Sequence, residues 1–347
     1  MRKFKLLLLS LPIFLSISSC VAEPTTENKN TRLDEVSNRK KLVCGVSGQL
    51  PGFSFVDSTG KYSGLDVDIC RAVSAALFDD PNAVEFRQLN AKERFTALQT
   101  GEVDLLSRNT TWTMSRDTSV GLNFAPVVFY DGQGMMVRKD SNIKSLADLK
   151  GKAICTQTGT TNEQNLADQM RKRGITYKPV VFEDVNTTYA TYQQGRCDAV
   201  TSDKSQLISR RSTLPKPEDH IILEEALSQE PLTPAVADGD AKWGDTVRWV
   251  VNAVIKAEEL GVNSQNVEEL KTGSKDPEVK RLLGVEGDLG KGIGLPEDFG
   301  ARIIKHVGNY GEIYERNLGP QTKLNLPRDN RNQPWTKGGL LYSPPFR

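Results

Sequence analysis

Short apolar runs alternate with helix-forming stretches along two successive parts of this chain, and that alternation narrows the fold more than any other feature. In the first part, Lys41 to Val46 reads as a strand. Tyr62-Ser-Gly-Leu leads into a helix in which Ile69, Val73, Ala76 and Leu77 keep a helical period. Asn90 and Glu93 have the spacing of a capping box before a helix through Phe95 and Leu98, and Gly101 stands where that helix should stop. Val103 to Leu106 then reads as a short buried strand. This grammar predicts an open α/β sheet, and such sheets bind ligands beyond the carboxyl ends of their strands, so functional residues are expected just after Val46 and Leu106.

The second part repeats the pattern. Ser145 to Gly151 forms a short helical turn, Lys152 to Gln157 a strand, and the next helix spaces Leu166 and Met170 four apart. Val180 to Phe182 is another strand, and a helix carrying Tyr189 and Tyr192 ends at Gly195 before a strand from Cys197 to Thr201. After Pro231 and Pro234 come a strand, Ala235 to Ala237, and a long helix, Trp243 to Leu260, with Val247, Val250, Val251, Val254 and Ile255 as its apolar stripe. That helix is expected to return to the first unit. Two crossings, near Asp131 to Met136 and Gln229 to Ala235, would make a hinge. Residues after Leu324, rich in Pro, Asn and Gly, are expected along the surface.

With 347 residues, 37% of them hydrophobic, the chain can build two modest cores. Lys plus Arg (45) nearly balances Asp plus Glu (44), so no summed field draws the protein to nucleic acid or an anionic membrane. The start is different in kind. Arg2, Lys3 and Lys5 precede an apolar run from Leu6 to Ile17, the pattern of a secretory signal peptide over residues 1–19. The run is too short for a permanent span. Ile17-Ser18-Ser19-Cys20 resembles the lipobox of bacterial lipoproteins, which makes Cys20 the expected lipid attachment site. Ordinary cleavage with Cys20 as a spare thiol is the alternative. Residues 20–39, polar and without an apolar period, are expected as lipidated N-terminus and flexible tether.

Setting Cys20 aside leaves Cys44, Cys70, Cys155 and Cys197. Outside the cytoplasm four thiols are more often two disulfides than two reactive pairs. Cys44 with Cys70 would pin a strand to the following helix, and Cys155 with Cys197 would join neighbouring strands. No CxxC spacing occurs and the two histidines, His220 and His306, lie far from the cysteines, so no metal site and no cofactor are expected.

Three polar clusters fall at predicted strand ends. The first runs from Ser107 to Arg116 and holds Arg108, Asn109, Thr111 and Arg116. A guanidinium can grip a carboxylate with two parallel bonds, which Lys cannot. The second is Thr158-Gly159-Thr160-Thr161, where a helix start and hydroxyls favour an anion. The third ends in Asp203, placed to receive an ammonium group. Each has an ordinary alternative: Arg116 as a surface ion-pair partner, and Thr161 and Asp203 as helix caps. Together they supply a carboxylate clamp and an ammonium acceptor, which suits a zwitterion.

Six motifs appear in order: Gly64 to Asp68, Ala97 to Asp104, Thr113 to Arg116, Ser145 to Lys152, Gly159 to Thr161 and Gly195 to Asp203. In these the chain resembles the periplasmic solute-binding proteins of polar amino-acid ABC transporters. Ser107 to Thr113, Val307 to Glu312 and Trp335-Thr-Lys-Gly-Gly are similar to the general L-amino-acid-binding subgroup. The resemblance implies a two-lobed type II periplasmic-binding-protein fold with a two-strand hinge, residues 40–132 plus 235–347 forming lobe 1 and 133–234 lobe 2. It implies a monomer in the periplasm, tied to the membrane through its N-terminal lipid alone, with a free L-amino acid as ligand and ABC permease subunits as partners. Arg116 and the backbone at Thr111 and Thr161 would hold the α-carboxylate, and Asp203 with polar atoms near Asn109 the α-ammonium.

The chain departs from many relatives after the first strand, where Ser47 and Leu50 replace an acidic residue and an aromatic platform, and no aromatic stands at Asn90 or Ala91. A cationic side chain is thereby disfavoured, and broad acceptance of neutral or acidic ones is expected. No histidine lies in the clusters and no Ser/His/Asp or paired-carboxylate arrangement emerges, so catalysis is not expected. A sensor role lacks a following span or signalling domain.

Overall fold

The computed structural model describes residues 31–347. The leader, Cys20 and the first part of the expected tether lie outside the described residues. The tether ends sooner than its composition implied. Residues Arg32–Arg39 form a helix, opened by a reciprocal capping box between Thr31 and Asp34 and anchored by buried Leu33 and Val36. Leu33 and Val36, three apart, supply one apolar contact line, and Arg32 and Arg39 close on the buried carboxylate of Asp104.

Two five-stranded sheets organise the rest. The first runs in the order Val84–Gln88, Leu42–Val46, Leu105–Leu106, Ala235–Ala237 and Leu122–Phe124, with the first three strands parallel and Ala235–Ala237 antiparallel to both neighbours. The second runs Lys178–Phe182, Ala153–Gln157, Ala199–Asp203, Gln133–Arg138 and His220–Ile222, again with the first three strands parallel and the fourth, Gln133–Arg138, antiparallel to both neighbours. Parallel strands need crossovers. The helices Leu65–Phe78 and Thr161–Lys172 supply them and pack back on their sheets.

A two-stranded antiparallel ribbon, Phe129–Asp131 with Glu230–Leu232, carries the chain between the sheets, with Asp131 opposite Glu230. The helix Ala241–Glu259 buries Val247, Val250, Val251, Val254 and Ile255, each contributing about 1.5–3 kcal/mol, and rests on the helix Leu65–Phe78. No described helix is long and apolar enough to cross a membrane.

Disulfides join Cys44 to Cys70 and Cys155 to Cys197, with Cα atoms 6.2 and 5.7 Å apart. Cys197 stands just before its strand rather than within it, because the strand begins at Ala199, and Val200 is the register partner of Cys155. The C-terminal segment does more than lie on the surface. Arg328 forks onto Glu258 above the rings of Tyr310 and Tyr314, Asn332 is buried, and Leu341 and Phe346 complete the core. Asn332 also clamps one hinge strand, accepting from the Tyr130 N–H at 2.8 Å and donating to its carbonyl at 3.0 Å.

Candidate functional site

The predicted clusters meet where the carboxyl ends of the two sheets face each other. After Leu106 the chain turns through Ser107 to Thr111, and Asn109 adopts φ +32° there. Asp66, in the first turn of the helix Leu65–Phe78, fixes this loop by accepting from the Asn109 N–H at 3.1 Å. Burial raises its carboxyl to about 6, against the pull of the Asn109 N–H and Arg108. The helix can start so close to the loop because Gly64 has φ +127° and passes 2.1 Å, measured from where a Cβ would stand, from the Phe53 carbonyl oxygen. No larger residue fits there.

Arg116 is buried and forms no ion pair among the described residues, contrary to the surface-partner alternative. One of its nitrogens donates to the Thr111 carbonyl at 2.8 Å, and its guanidinium lies 5.0 Å from the centre of the Phe95 ring. Burial lowers its pKa, and nearby Glu230 and Asp203 oppose that shift. Arg108 donates to the Leu89 carbonyl at 2.7 Å, and burial brings it down to about 10. Arg94, not marked by any sequence signal beyond its place after a capping box, is a third buried guanidinium. Its Nε has no partner among the described residues, and burial together with Arg116 and Arg108 pushes its pKa well below normal.

On the opposite side, Thr160 caps the helix Thr161–Lys172 by accepting from the Glu163 N–H. Thr161 is therefore not the cap, and its hydroxyl is free to bond elsewhere. Gly159, with φ +73°, brings this loop against the backbone of Ala91 and Lys92, where a Cβ would stand 3.2 Å from the Ala91 carbonyl oxygen. Asp203 ends its strand and precedes the helix Lys204–Arg211, yet its side chain caps nothing. Asp131 from the hinge does that work instead, accepting from the Ser205 N–H at 3.1 Å. Asp203 is thus left to accept from Asn162 at 2.8 Å, with no ion-pair partner among the described residues. Burial, Asp131 and Glu230 all push its pKa well above the usual carboxylate range, and Asp131 is raised to about 6, chiefly by burial.

The two sides touch through Asn109 and Gln206 at 3.2 Å, Ser209 and the Pro51 carbonyl at 2.7 Å, and Arg210 and the Gln49 carbonyl at 3.0 Å. Asn109 Oδ1 is buried without a partner among the described residues. Beside these contacts lies a cavity of about 140 Å³, lined by Ser47, Gln49, Gln88, Asn90, Glu93 and Arg108 from one side and Gln157 and Asp184 from the other. Leu50 does not line it. It pairs Ser54 in a small sheet and belongs to the core, because its side chain takes the inward position of that strand. Thr158 is half-buried and contributes a backbone bond to the Phe182 carbonyl.

Sequence reasoning missed Glu230. It is buried, and its carboxylate accepts from Thr111, Thr161, Asn165 and Ser228. The available signal was an acid directly before Pro231 in a predicted crossing, a position held in extended backbone. Electrostatically, three guanidiniums on one side oppose Asp131, Asp203 and Glu230 along the hinge and the other side. Such a field has the polarity to orient a small dipolar molecule.

A family model described as bacterial extracellular solute-binding proteins, family 3, matches residues 42–266. The chain is 50% identical to the general L-amino acid-binding periplasmic protein AapJ of Rhizobium johnstonii, over 96% of each chain. It is 49% identical to the glutamate/glutamine/aspartate/asparagine-binding protein BztA of Rhodobacter capsulatus, over 91% of this chain and 93% of that one. Among solved structures, an ABC transporter periplasmic binding protein from Brucella ovis with glutathione bound is 50% identical, with a TM-score of 0.89 over 92% of this chain and 100% of its own.

Proposed function

The chain belongs to the bacterial extracellular solute-binding proteins of family 3, and from that premise we propose that it is the amino-acid-binding component of an ABC importer. It takes a free L-amino acid between lobe 1, residues 40–132 plus 235–347, and lobe 2, residues 133–234, and hands it to permease subunits. One observation supports this reading: Arg116 and Asp203, buried on opposite sides of one cleft, both lack an ion-pair partner among the described residues. A buried charge without a counter-ion is costly unless a ligand supplies one. An α-carboxylate for Arg116 and an α-ammonium for Asp203 satisfy both at once.

The mechanism is a shift of population. Contacts to both poles exist only when the lobes are closed, so ligand favours the closed form by the difference in its affinity for the two. Arg116, with the backbone at Thr111 and Thr161, holds the carboxylate; Asp203 and Asn109 Oδ1 take the ammonium. The side chain points toward Arg108 and amide-bearing Gln49, Gln88, Asn90 and Gln157, which favours neutral polar and acidic side chains. Glutathione, held by the Brucella ovis neighbour, has at its γ-glutamyl end the same pair of charges. The protein works as a monomer without catalysis, is secreted by its leader, and is tethered through lipid on Cys20.

A thermal-shift panel of L- and D-amino acids and glutathione, on protein freed of carried-over ligand, tests the reading. Stabilisation by L-amino acids with polar side chains, abolished in Arg116→Ala, is expected. No response to any of them in the intact protein refutes it.

A further inference from the structure

Glu230 is the group in the cleft that the zwitterion reading leaves without a task. It sits on the hinge strand Glu230–Leu232, opposite Asp131. It is 1% exposed and has no ion-pair partner among the described residues. Oε2 accepts from the Thr111 hydroxyl at 2.6 Å and from the Thr161 hydroxyl at 2.8 Å. Oε1 accepts from Asn165 at 2.8 Å and from Ser228. Thr111 belongs to the loop after Leu106, on the sheet of Leu42–Val46, whereas Thr161 opens a helix on the other sheet. Their hydroxyl oxygens are 3.5 Å apart, with one carboxylate oxygen bonded to both.

Each threonine hydroxyl has a single proton. Both are committed to Glu230, so neither hydroxyl can donate to a ligand carboxylate, which falls to Arg116 and backbone N–H groups. Nor can the two threonines separate without breaking a charge-assisted bond in a water-poor site. We propose that Glu230 is a positioning residue that latches the cleft, one hinge carboxylate holding a hydroxyl from each lobe and thereby slowing the opening that releases ligand. The proposal rests on the cleft being the amino-acid site.

The latch acts on the closed form, so its loss shows in the dissociation rate rather than in association. Stopped-flow displacement of bound L-glutamine or L-glutamate, whichever the intact protein binds more tightly, measures both rates. Glu230→Gln is expected to speed release at least tenfold, equivalent to 1.4 kcal/mol, with association within about threefold. Thr111→Val removes the bond that Glu230, itself within residues 133–234, makes to the other lobe, and covers the case in which Glu230→Gln does not fold. The double variant should release no faster than the faster single one, because both substitutions break one interaction, whereas a general loss of structure would add.

Release rates within twofold of the intact protein in either single variant, or fully additive effects in the double, overturn the latch. Absence of amino-acid binding by the intact protein instead refutes the underlying reading of the cleft.

Discussion

Replacing Asp203 with Asn should move ligand binding and stability in opposite directions. Asp203 is buried, accepts one hydrogen bond from Asn162, and lies near Asp131 and Glu230, which disfavour its charge. Its replacement removes the proposed ammonium acceptor while keeping the volume. A hydrogen bond to a charged group is worth about 1.5–3 kcal/mol, so affinity should fall roughly 10- to 150-fold. The ligand-free fold loses a mutual repulsion and should melt no lower than the parent, and by about 2–4 °C higher for each ~1 kcal/mol relieved. Isothermal calorimetry reads the first effect and differential scanning calorimetry the second.

The pH dependence adds an independent check. A carboxyl raised in the folded state contributes stability that is fully present below its ordinary pKa and lost as pH rises through the folded value. Asp131, raised to about 6 from 3.8, and Asp203, raised well above 3.8, both follow this sign. The stability gap between Asp203→Asn and the parent should therefore be absent below the ordinary carboxyl value of 3.8 and widen as pH rises above it. Parent-like affinity in a folded Asp203→Asn protein would refute the assignment, and a variant that melts well below the parent would refute the electrostatic account.

Other outcomes can be checked in parallel. Arg116→Lys keeps the charge but loses the planar fork and its place over Phe95, so affinity should drop about 10-fold or more by calorimetry. Ligand affinity of the intact protein should weaken as pH is lowered and Asp203, its pKa raised by burial, takes up a proton, while Asp203→Asn shows a flatter profile in the same titration. The disulfides span 26 and 42 residues, and replacing one pair with serine should cost roughly 3–4 kcal/mol, seen as a lower urea midpoint. Asn332→Ala leaves the Tyr130 N–H and carbonyl without their partner, and should cost about 1–3 kcal/mol in the same assay.

Local chemistry made much of this protein readable in advance. The strand from Leu42 to Val46, the stripe along Ala241–Glu259 and the reciprocal bonds of Asn90 with Glu93 follow from spacing and side-chain type, which act over a few residues. That Arg116, Thr161 and Asp203 gather at the cleft was legible because a parallel sheet places the residues after its strands along one edge. The helix Arg32–Arg39 was hidden in polar sequence, since only two apolar residues, Leu33 and Val36, anchor it.

What tertiary structure alone decided is which polar group serves which partner. Asp203 escapes its capping role because Asp131, 72 positions earlier, takes the Ser205 N–H. Leu50 turns into the core, Arg94 comes to rest beside Arg108 and Arg116, and Glu230 gathers hydroxyls from residues 119 and 69 positions away. Sequence fixes the donors and acceptors a segment offers, but a buried group bonds whatever the packed chain leaves within 3 Å, and desolvation makes that choice compulsory.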